Sequence, residues 1–381
     1  MKARKIVEKV QGVKAQDGAG VKLIRVLGHD NVYDFDPFLM LDSFDSSNPT
    51  DYVKGFPTHP HRGIETVSFI AKGSMTHRDH LGTKQTIGDG EAQWLTAGSG
   101  AFHSEMPAGD SLLGLQLWLN LPKDAKMKAA PAYHGITRDD IKEFPFDGGK
   151  LRLLTGEYQG HKGWRGKYLP LDYYDIHLES GASVTLDVKA DNTVMFFTLK
   201  GDVVSNGTQV KEKTAARLAD GDAVTIEADA NGAEVLLMSA PPLKEPIAWY
   251  GPIVMNTRNE VGEAVAELKN GTFIKQNTEY QQAVDKAMEI KQTEKGNEGM
   301  FVAYDGEERM GHISYVWDGE SQFSIHHTVV EAEHEGKGVG TALLNFAADY
   351  ARKNGKKIRA VCPFVVAKFR KSGAYDDVKA L

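Results

Sequence analysis

Cysteine is nearly absent from this sequence: the 381 residues include only Cys362. No disulfide can therefore form within the chain, and such scarcity is typical of proteins in a reducing cytoplasm. Long apolar runs are also missing, so we expect no transmembrane segment, and no apolar core of a signal peptide follows the basic residues 1–5. An excess of positive charge is missing too, because the formal net charge is −7. We expect a cytoplasmic protein that binds neither membranes nor nucleic acids.

Short β-like runs make up most of the first part of the chain. Residues 66–70 and 113–119 are rich in apolar side chains and end near glycine or proline, and residues 182–188 alternate with a period of two. Many short strands separated by turns are typical of barrels and sandwiches. About 240 residues of this pattern are enough for two barrels.

Two paired motifs of metal-ligand type lie in this β-rich region: His59-Pro60-His61 and His103-Ser104-Glu105. Because side chains alternate along a strand, each pair falls on one face. Three imidazoles and one carboxylate form a ligand set suited to iron, manganese, nickel, copper or zinc. Four protein ligands in an octahedron leave two positions for water, dioxygen or a bidentate substrate. The two motifs together favour one metal site over four unrelated surface residues.

The residues around these motifs resemble those of the pirin family of bicupins. The resemblance is carried by GFPTHPHRGIETV at 55–67, QWLTAGSGAFHSEMP at 93–107 and the strap WYGPIVMNT at 249–257. It implies two cupin barrels, of which only the first binds metal, normally Fe(2+), although other divalent transition metals remain alternatives. The ligands that the resemblance implies are His59, His61, His103 and Glu105.

The second barrel is expected to be empty, because the histidines of its sequence are isolated. His134 and His161 have no partner in an HxH or HxE pair, and His177 has none in an HxH pair. The resemblance to pirins and the residue pattern therefore agree on a single metal site in the N-terminal half.

Other polar residues near the motifs are open to two interpretations. Glu65 lies where many other cupins place a carboxylate ligand, but Glu105 offers a carboxylate instead, so Glu65 is interpreted as structural or supporting. His77 and His80 are interpreted as solvated turn residues, with a role behind the metal ligands as the alternative. Gln116 lies on an alternating strand and either faces the cavity or packs.

A different pattern begins after about residue 290: strands, a glycine loop, a helix and a further strand. Gly336, Gly338 and Gly340 precede the helix, where backbone N–H groups and the helix dipole favour an anion. A glycine loop alone is weak evidence of binding, and the alternative is an ordinary turn.

The C-terminal sequence resembles the small acetyltransferase-like proteins of the GNAT superfamily. The resemblance is carried by residues 324–330, 335–340 and 361–364. It implies that the loop binds the pyrophosphate of acetyl-CoA or CoA through Glu335, Gly336, Lys337, Gly338, Val339 and Gly340. Most members have Gln or Arg in place of Glu335, and the domain lacks the helices that build an acceptor site in larger relatives, so binding is better supported than transfer.

Two further features of this region each have two readings. Cys362 in the Cys-Pro-Phe motif is either a catalytic thiol or a small buried core residue. Arg352, Lys353, Lys356 and Lys357 either meet the 3′-phosphate of CoA or form a solvated helix end that complements its dipole.

We therefore predict a mainly β protein with two cupin barrels followed by a small α/β domain. The predicted boundaries are 1–125 for the metal-binding barrel, 126–275 for the metal-free barrel with its strap and helix, 276–292 for a linker and 293–381 for the GNAT-like domain. The resemblance implies three candidate functions: a dioxygenase of the quercetin 2,3-dioxygenase kind with Glu105 or Glu65 as general base, an iron redox sensor that binds a partner protein, and a CoA-dependent N-acetyltransferase. The partner is accordingly a flavonol-like small molecule or another protein.

Overall fold

The computed structural model describes residues 2–275, 288–305, 308–331, 334, 339–371 and 373–380. The chain forms two compact units, one of Met1–Ala266 with Ile274–Gln276 and the other of Glu267–Phe273 with Asn277–Leu381. Within the described ranges, no helix combines the length and the apolar character that a membrane span requires.

The first unit consists almost entirely of short strands, as the glycine-punctuated sequence predicts. It contains helix α1 (Lys123–Lys126) and most of helix α2 (Arg258–Asn270), whose last four residues belong to the second unit. Its strands are β1 (Lys5–Gln11), β2 (Val13–Asp17), β3 (Val21–Leu27), β4 (Phe38–Ser46), β5 (Phe56–His61), β6 (Ile64–Asp79), β7 (Lys84–Ile87), β8 (Glu91–Thr96), β9 (Ala101–Asn120), β10 (Ala132–Ile136), β11 (Lys142–Phe146), β12 (Gly149–Thr155), β13 (Glu157–Tyr158), β14 (His161–Lys162), β15 (Asp172–Leu178), β16 (Ser183–Asp187), β17 (Thr193–Lys200), β18 (Val203–Ser205), β19 (Thr208–Val210), β20 (Thr214–Ala219), β21 (Ala223–Ala228), β22 (Ala233–Ala240), β23 (Ala248–Tyr250) and β24 (Ile253–Met255).

The first barrel is built around the long antiparallel pair β6 and β9. Its sheet has the order β10-β8-β6-β9-β4-β3-β2, while β5 pairs with β9 and β7 with β6. The long pair bends at register shifts on both sides of Lys72. Gly73 lies at this bend with φ +99°, and a Cβ there would approach the main-chain oxygen of Ser111 to 2.5 Å. Glycine is therefore required where the long strands turn from one side of the barrel to the other.

The second barrel consists of a seven-stranded sheet and a four-stranded sheet. Their orders are β1-β20-β17-β22-β15-β12-β11 and β16-β21-β18-β19. Its core is an apolar cluster with members on both sheets, including Leu153, Ile176, Leu186, Phe196 and Val224. Side chains of this kind fill a small barrel and provide no metal ligands.

The two barrels exchange one strand each, which differs from the predicted boundary at residues 125 and 126. The N-terminal strand β1 pairs with β20 of the second barrel, and β10 pairs with β8 of the first. Alternation along a strand predicts that the strand exists, but it does not tell which sheet the strand joins.

An apolar core lies between the two barrels. Val67, Phe69 and Trp94 of the first barrel pack in one buried cluster with Tyr173 and Phe197 of the second. Full burial of such a side chain contributes about 1.5–3 kcal/mol, so this shared core holds the two barrels together as one body.

The second unit is a small α/β domain, which confirms the predicted fold class. Its strands are β25 (Met288–Lys295), β26 (Glu298–Asp305), β27 (Glu308–Trp317), β28 (Gln322–Val330) and β29 (Lys357–Ala360), and its helices are α3 (Val339–Lys353) and α4 (Pro363–Lys371). The strands form one sheet in chain order, antiparallel except for the parallel pair β28 and β29. Leu343, Leu344, Ala347 and Ala351 bury the predicted face of α3.

Two sequence expectations about this unit are corrected. Strand β25 begins at Met288, so residues 288–292 belong to the sheet and not to the predicted linker, whose remaining residues lie outside the described ranges. Val339 and Gly340, predicted in the cofactor loop, form the first turn of α3 and are buried. A Cβ on Gly340 would lie 3.3 Å from the Phe364 ring, so the helix packs closely at this glycine, and its role in cofactor binding stays a prediction. Residues 335–338 of the loop lie outside the described residues.

Candidate metal centre

The pairing of β5 with β9 brings the two predicted motifs together. His59 lies opposite His103 in this antiparallel pair, and His61 lies opposite Ala101. Because His59 and His61 are two residues apart on a strand, both rings lie on the face that His103 also occupies.

The three histidines converge on one point. One ring nitrogen from each of His59, His61 and His103 lies within 4.8 Å of the corresponding atoms of the other two. The Nε2 atoms of His59 and His61 are 3.1 Å apart. His103 Nε2 is buried and has no hydrogen-bond partner among the described residues. A buried acceptor without a proton donor is an atom that a metal ion would satisfy.

Burial keeps the imidazoles of His61 and His103 in the form that binds metals. Desolvation, with a smaller contribution from His59, lowers the pKa of His61 to about 3. The same two causes hold the pKa of His103 well below its usual value. Neutral imidazoles bind transition metals, whereas imidazolium cannot.

Main-chain carbonyl oxygens orient two of the histidines. Nδ1 of His59 lies 2.8 Å from the oxygen of Pro57, and Nδ1 of His61 lies 3.1 Å from the oxygen of Pro252. A carbonyl only accepts, so Nδ1 donates in both rings and Nε2 keeps its lone pair. This is the arrangement that metal-binding histidines usually show.

The strap formed by β23 and β24 closes the site on the side of His61. Trp118 makes an edge contact with His61 at 4.9 Å between ring centroids, and Trp249 of the strap lies 5.6 Å from Trp118. The strap approaches the backbone so closely that a Cβ on Gly63 would lie 1.9 Å from the main-chain oxygen of Val254. Glycine is therefore required at this position, two residues after His61 of the first ligand motif.

A buried lysine ties the strap to the barrel. Lys126 Nζ donates to the oxygen of Gly63 at 2.7 Å, to Asn120 Oδ1 at 2.5 Å and to the oxygen of Val254 at 3.1 Å. Burial lowers the pKa of Lys126 to about 7. No local sequence pattern predicts this contact, because it joins three segments distant in sequence.

Glu105, the fourth predicted ligand, lies outside the three-histidine group. Its Oε1 accepts hydrogen bonds from Gln93 Nε2 at 2.5 Å and from Ser68 Oγ at 3.1 Å, and its Oε2 accepts from Gln116 Nε2 at 2.7 Å. Ser68 lies opposite both Gln93 and Gln116 in the sheet, so all these side chains share the face of the histidines. Gln116 therefore faces the cavity, one of the two options left open by the sequence.

Tyr133 extends this network from an unexpected part of the chain. Its hydroxyl donates to Gln93 Oε1 at 3.1 Å, and its ring stacks on His77 at 4.1 Å between centroids. Burial raises the pKa of Tyr133, so the hydroxyl stays protonated and remains a donor. Tyr133 was not predicted at this site, because the predicted boundary places it in the second barrel.

Glu65 points away from the histidines, which corrects its assignment as an alternative general base. It shares the outer face of β6 with Val67 and Phe69, which pack between the barrels. Thr96 Oγ1 donates to Glu65 Oε1 at 2.6 Å. Burial raises the pKa of Glu65 to about 7. Its role is structural, as the first reading of the sequence had it.

The other histidines have distinct environments. His77 is fully buried rather than solvated, whereas His80 is partly buried and accepts from the backbone N–H of Phe102 at 3.2 Å. His177 is not isolated as expected: it lies with Asp175 and Glu234 in a second group of metal-ligand type. The signals in the sequence are the Asp-x-His spacing of Asp175 and His177 and the HxE spacing of His177 and Glu179, so the expectation that His177 is isolated was wrong.

An arginine already neutralises this second group. Arg152 Nη1 lies 2.8 Å from Asp175 Oδ2, and His177 Nε2 lies 3.0 Å from the same oxygen. Burial lowers the pKa of His177, but the hydrogen bond and charge of Asp175 outweigh burial, and the net pKa is raised. The buried carboxylate of Asp175 is therefore already paired with Arg152 and His177.

In the C-terminal unit, Cys362 lies at the start of α4. The thiol is 5% exposed, and its sulfur lies 3.5 Å from Thr328 Oγ1. Burial raises the pKa of Cys362, but hydrogen bonds from Thr328 and from the backbone N–H groups of Val365 and Phe364 outweigh it and lower the pKa. Low-pKa thiols at helix N-termini are typical of reactive cysteines.

The cations proposed for the CoA 3′-phosphate mostly contact their own unit. Arg352 forms ion pairs with Asp349 and Asp377, both at 2.7 Å, and Lys357 Nζ donates to the oxygen of Asp377 at 2.8 Å. These contacts favour the interpretation that the cations form a solvated helix end over the interpretation that they bind the CoA 3′-phosphate.

Comparison with known proteins agrees with this geometry. Residues 20–119 match the pirin family, and residues 173–274 match the pirin C-terminal cupin domain. A protein from Pseudomonas aeruginosa, provisionally named a quercetin 2,3-dioxygenase, is 40% identical over 282 residues, which cover 71% of this chain and 98% of that protein. The chain belongs to the pirin family.

Two further proteins, one curated relative and one solved structure, are similar to this pirin-family chain. Pirin from Homo sapiens is 34% identical over 275 residues, covering 70% of this chain and 93% of the human protein. The crystal structure of a quercetin 2,3-dioxygenase from Acinetobacter baumannii matches with a TM-score of 0.66 and 34% identity, covering 72% of this chain and all of that one. Beyond the pirin part, residues 300–378 match the GCN5-related N-acetyl-transferase family. Both resemblances seen in the sequence are therefore confirmed.

Proposed function

We propose that the first barrel binds one divalent transition metal, iron(II) by resemblance to pirins, and acts as a dioxygenase on a flavonol-like substrate. The observation that carries this proposal is the convergence of His59, His61 and His103 in a cavity that also contains Glu105. The quercetin 2,3-dioxygenase names of the Pseudomonas and Acinetobacter relatives support the substrate class.

The residues present fit such a metal. His103 Nε2 is a buried acceptor without a partner among the described residues, and His59 and His61 present Nε2 with Nδ1 engaged elsewhere. Imidazole ligands suit iron, nickel, copper and zinc. When bound, the metal would supply Lewis-acid polarisation of the flavonol oxygens and redox chemistry toward dioxygen.

Glu105 is the group in this cavity that can take the proton of a flavonol hydroxyl. The amides of Gln93 and Gln116 and the hydroxyl of Ser68 fix its two oxygens, so the carboxylate is oriented before substrate arrives. A positioned general base contributes roughly 10²–10⁴ in rate. Trp118 supplies an apolar wall beside His61 and helps to exclude water.

Aerobic turnover of quercetin tests this function. The full chain, loaded in turn with Fe(II), Mn(II), Co(II) and Ni(II), should consume quercetin and dioxygen together, measured by absorbance and an oxygen electrode. His103→Ala should lose this activity, whereas His134→Ala should keep it, because His134 lies outside the cavity with its side chain 40% exposed. Wild-type rates equal to those of metal-loaded His103→Ala would refute the oxygenase.

A second candidate is an iron-dependent regulatory protein that binds a partner. The observation that favours it is the contact between His61 and the strap residue Pro252, which continues along the strap to the exposed Tyr250. Iron oxidation changes the charge of the site by one unit, and this contact would carry the change to the surface. Pulldown of a partner that depends on oxidation state, in a protein inactive toward quercetin, would favour this function over the oxygenase.

For the C-terminal unit we propose acetyl-CoA binding, based on the GCN5-related match and on the position of Cys362. If acetyl transfer occurs, the Cys362 thiolate attacks the acetyl carbon, a new thioester forms and the CoA thiolate leaves, before an amine or protein lysine accepts the acetyl group.

Calorimetry with acetyl-CoA tests this proposal. Gly338→Val should weaken binding by blocking the approach of the phosphates, whereas Cys362→Ala should retain nearly full affinity, because the thiol acts on the acetyl end. Absence of heat with the folded protein at high micromolar ligand would refute acetyl-CoA binding, and undiminished affinity in Gly338→Val would place the cofactor elsewhere.

A further inference from the structure

His77 is a buried histidine that joins the candidate metal centre to a buried carboxylate. Its Nε2 lies 3.0 Å from Asp79 Oδ2, and its Nδ1 lies 3.5 Å from Nδ1 of His103, a long hydrogen bond. The side chains of His77 and Asp79 are both 0% exposed. The register of β6 on β9 produces this arrangement, because Asp79 lies opposite His103 and His77 lies opposite Glu105.

The chain of contacts determines which nitrogen of each ring carries hydrogen. The Asp79 carboxylate accepts, so His77 Nε2 donates to it. Nδ1 of neutral His77 is then an acceptor, and His103 must donate its Nδ1–H to it. Nε2 of His103 is left with a free lone pair, in agreement with its lack of a partner among the described residues.

The surroundings hold this chain in place. Asp79 Oδ1 accepts from the backbone N–H groups of Leu81 at 2.9 Å and Thr83 at 3.0 Å. The ring of His77 is stacked on Tyr133 at 4.1 Å between centroids and 20° between planes. Neither side chain of the Asp79–His77 dyad is therefore free to turn away from His103.

We propose that Asp79 and His77 are positioning residues that hold His103 in the Nδ1–H tautomer, with Nε2 directed at the metal, and that increase its basicity as a ligand. The proposal rests on the proposed metal site. His59 and His61 donate to neutral main-chain carbonyl oxygens, whereas His103 is linked through His77 to a charged carboxylate. The dyad thus acts on one ligand of the three.

Asp79→Asn is the informative variant. The amide oxygen can keep the two backbone hydrogen bonds, while the NH₂ group faces His77 and makes its Nε2 the acceptor. His77 must then carry its hydrogen on Nδ1, so His103 Nδ1 becomes an acceptor and its Nε2 is protonated. His77→Phe removes the contact but keeps a ring against Tyr133.

Cobalt(II) binding to the full chain, measured by visible absorption and chelator competition, tests the dyad. Loss of groups that orient a ligand costs about 10- to 100-fold in metal affinity, and we expect this loss with a changed cobalt spectrum in both variants. The matched controls are Asp140→Asn and His134→Phe, the other Asp–His pair of this region, whose atoms are 4.0 Å apart outside the cavity. Affinities within threefold of wild type in both dyad variants would overturn the proposal.

Nitrogen NMR of the metal-free wild-type protein tests the tautomer without any variant. With ¹⁵N-histidine, the expected result is hydrogen on Nδ1 of His103 and on Nε2 of His77, and the opposite assignment would overturn the proposal if a variant fails to fold. A wild-type chain that binds no cobalt would overturn the metal site and the dyad together. A chain whose cobalt affinity depends on the dyad but that does not consume quercetin would refute only the oxygenase.

Discussion

Gln93 Nε2 lies 2.5 Å from Glu105 Oε1, so an amide holds the carboxylate that follows His103 on the same strand face. A second amide, that of Gln116, holds the other oxygen at 2.7 Å. The three histidines come together without this carboxylate. The carboxylate and the imidazoles are therefore two neighbouring groups of one cavity, and we expect their contributions to be separable by substitution.

The first prediction concerns the number of metal ions bound by the two groups of metal-ligand type, His59/His61/His103 and Asp175/His177/Glu234. We expect one equivalent of transition metal per chain by elemental analysis, because Arg152 already neutralises Asp175 in the second cluster. His59→Ala and His103→Ala should abolish binding, whereas His177→Ala should retain it. Two equivalents in the wild-type protein, or loss of metal in His177→Ala, would contradict this prediction.

Glu105→Gln should separate catalysis from metal binding. Turnover of quercetin should fall by about 10²–10⁴, the contribution of a positioned general base. Cobalt affinity should fall far less than in His103→Ala, because the histidines converge independently of Glu105. Steady-state kinetics and cobalt competition check the two parts. Equal losses of affinity in both variants would instead make Glu105 a full ligand, as the sequence predicted.

Gly63→Ala should destabilise the first unit strongly. The position combines φ +79° with an approach of 1.9 Å between the added Cβ and the oxygen of Val254. Gly160→Ala is the matched control, because its φ is +78° and nothing lies within 4 Å of the added Cβ. The left-handed conformation alone costs about 1–2 kcal/mol, so urea unfolding should show that loss at Gly160 and a larger one at Gly63. Similar losses of unfolding free energy at both positions would show that the strap moves away from the added Cβ without destabilising the protein.

Glu65 should make stability fall as pH rises. Burial raises the pKa of Glu65 to about 7, above the ordinary value of 4.5 for the unfolded chain. The folded state therefore binds the proton more tightly, and the stability gained from the protonated form is fully present below pH 4.5 and lost as pH rises through about 7.

Replacement of this carboxyl by an amide removes the effect. Urea unfolding of metal-free Glu65→Gln and wild type at pH 5 and pH 8 should show the wild type losing up to about 3 kcal/mol relative to the variant. A stability difference that does not change between the two pH values would mean that Glu65 is already ionised in the folded protein.

The sequence predicts the ligand histidines well because the information is local. Alternation along a strand places His59 and His61 on one face, and the same rule applies to His103 and Glu105. The groups that surround these residues are determined by the register between strands that are distant in sequence. A local sequence pattern does not predict that register. The burial of His77 opposite Glu105 and the arrival of Tyr133 from β10 are examples, and both were missed or assigned elsewhere. Cys362 is a third example. Its Cys-Pro-Phe motif can be recognised in the sequence, but its contact with Thr328 on strand β28 cannot.

The exchange of β1 and β10 has a consequence for any attempt to dissect this protein. A single cut between the barrels would take β1 from β20 and β10 from β8, and each excised barrel would carry a bare row of backbone N–H and C=O groups along one side. Bare strand edges pair with other chains and lead to aggregation. The barrel with the three histidines thus depends on the other barrel for its sheet, and we expect a fragment of residues 1–125 to aggregate rather than to fold alone.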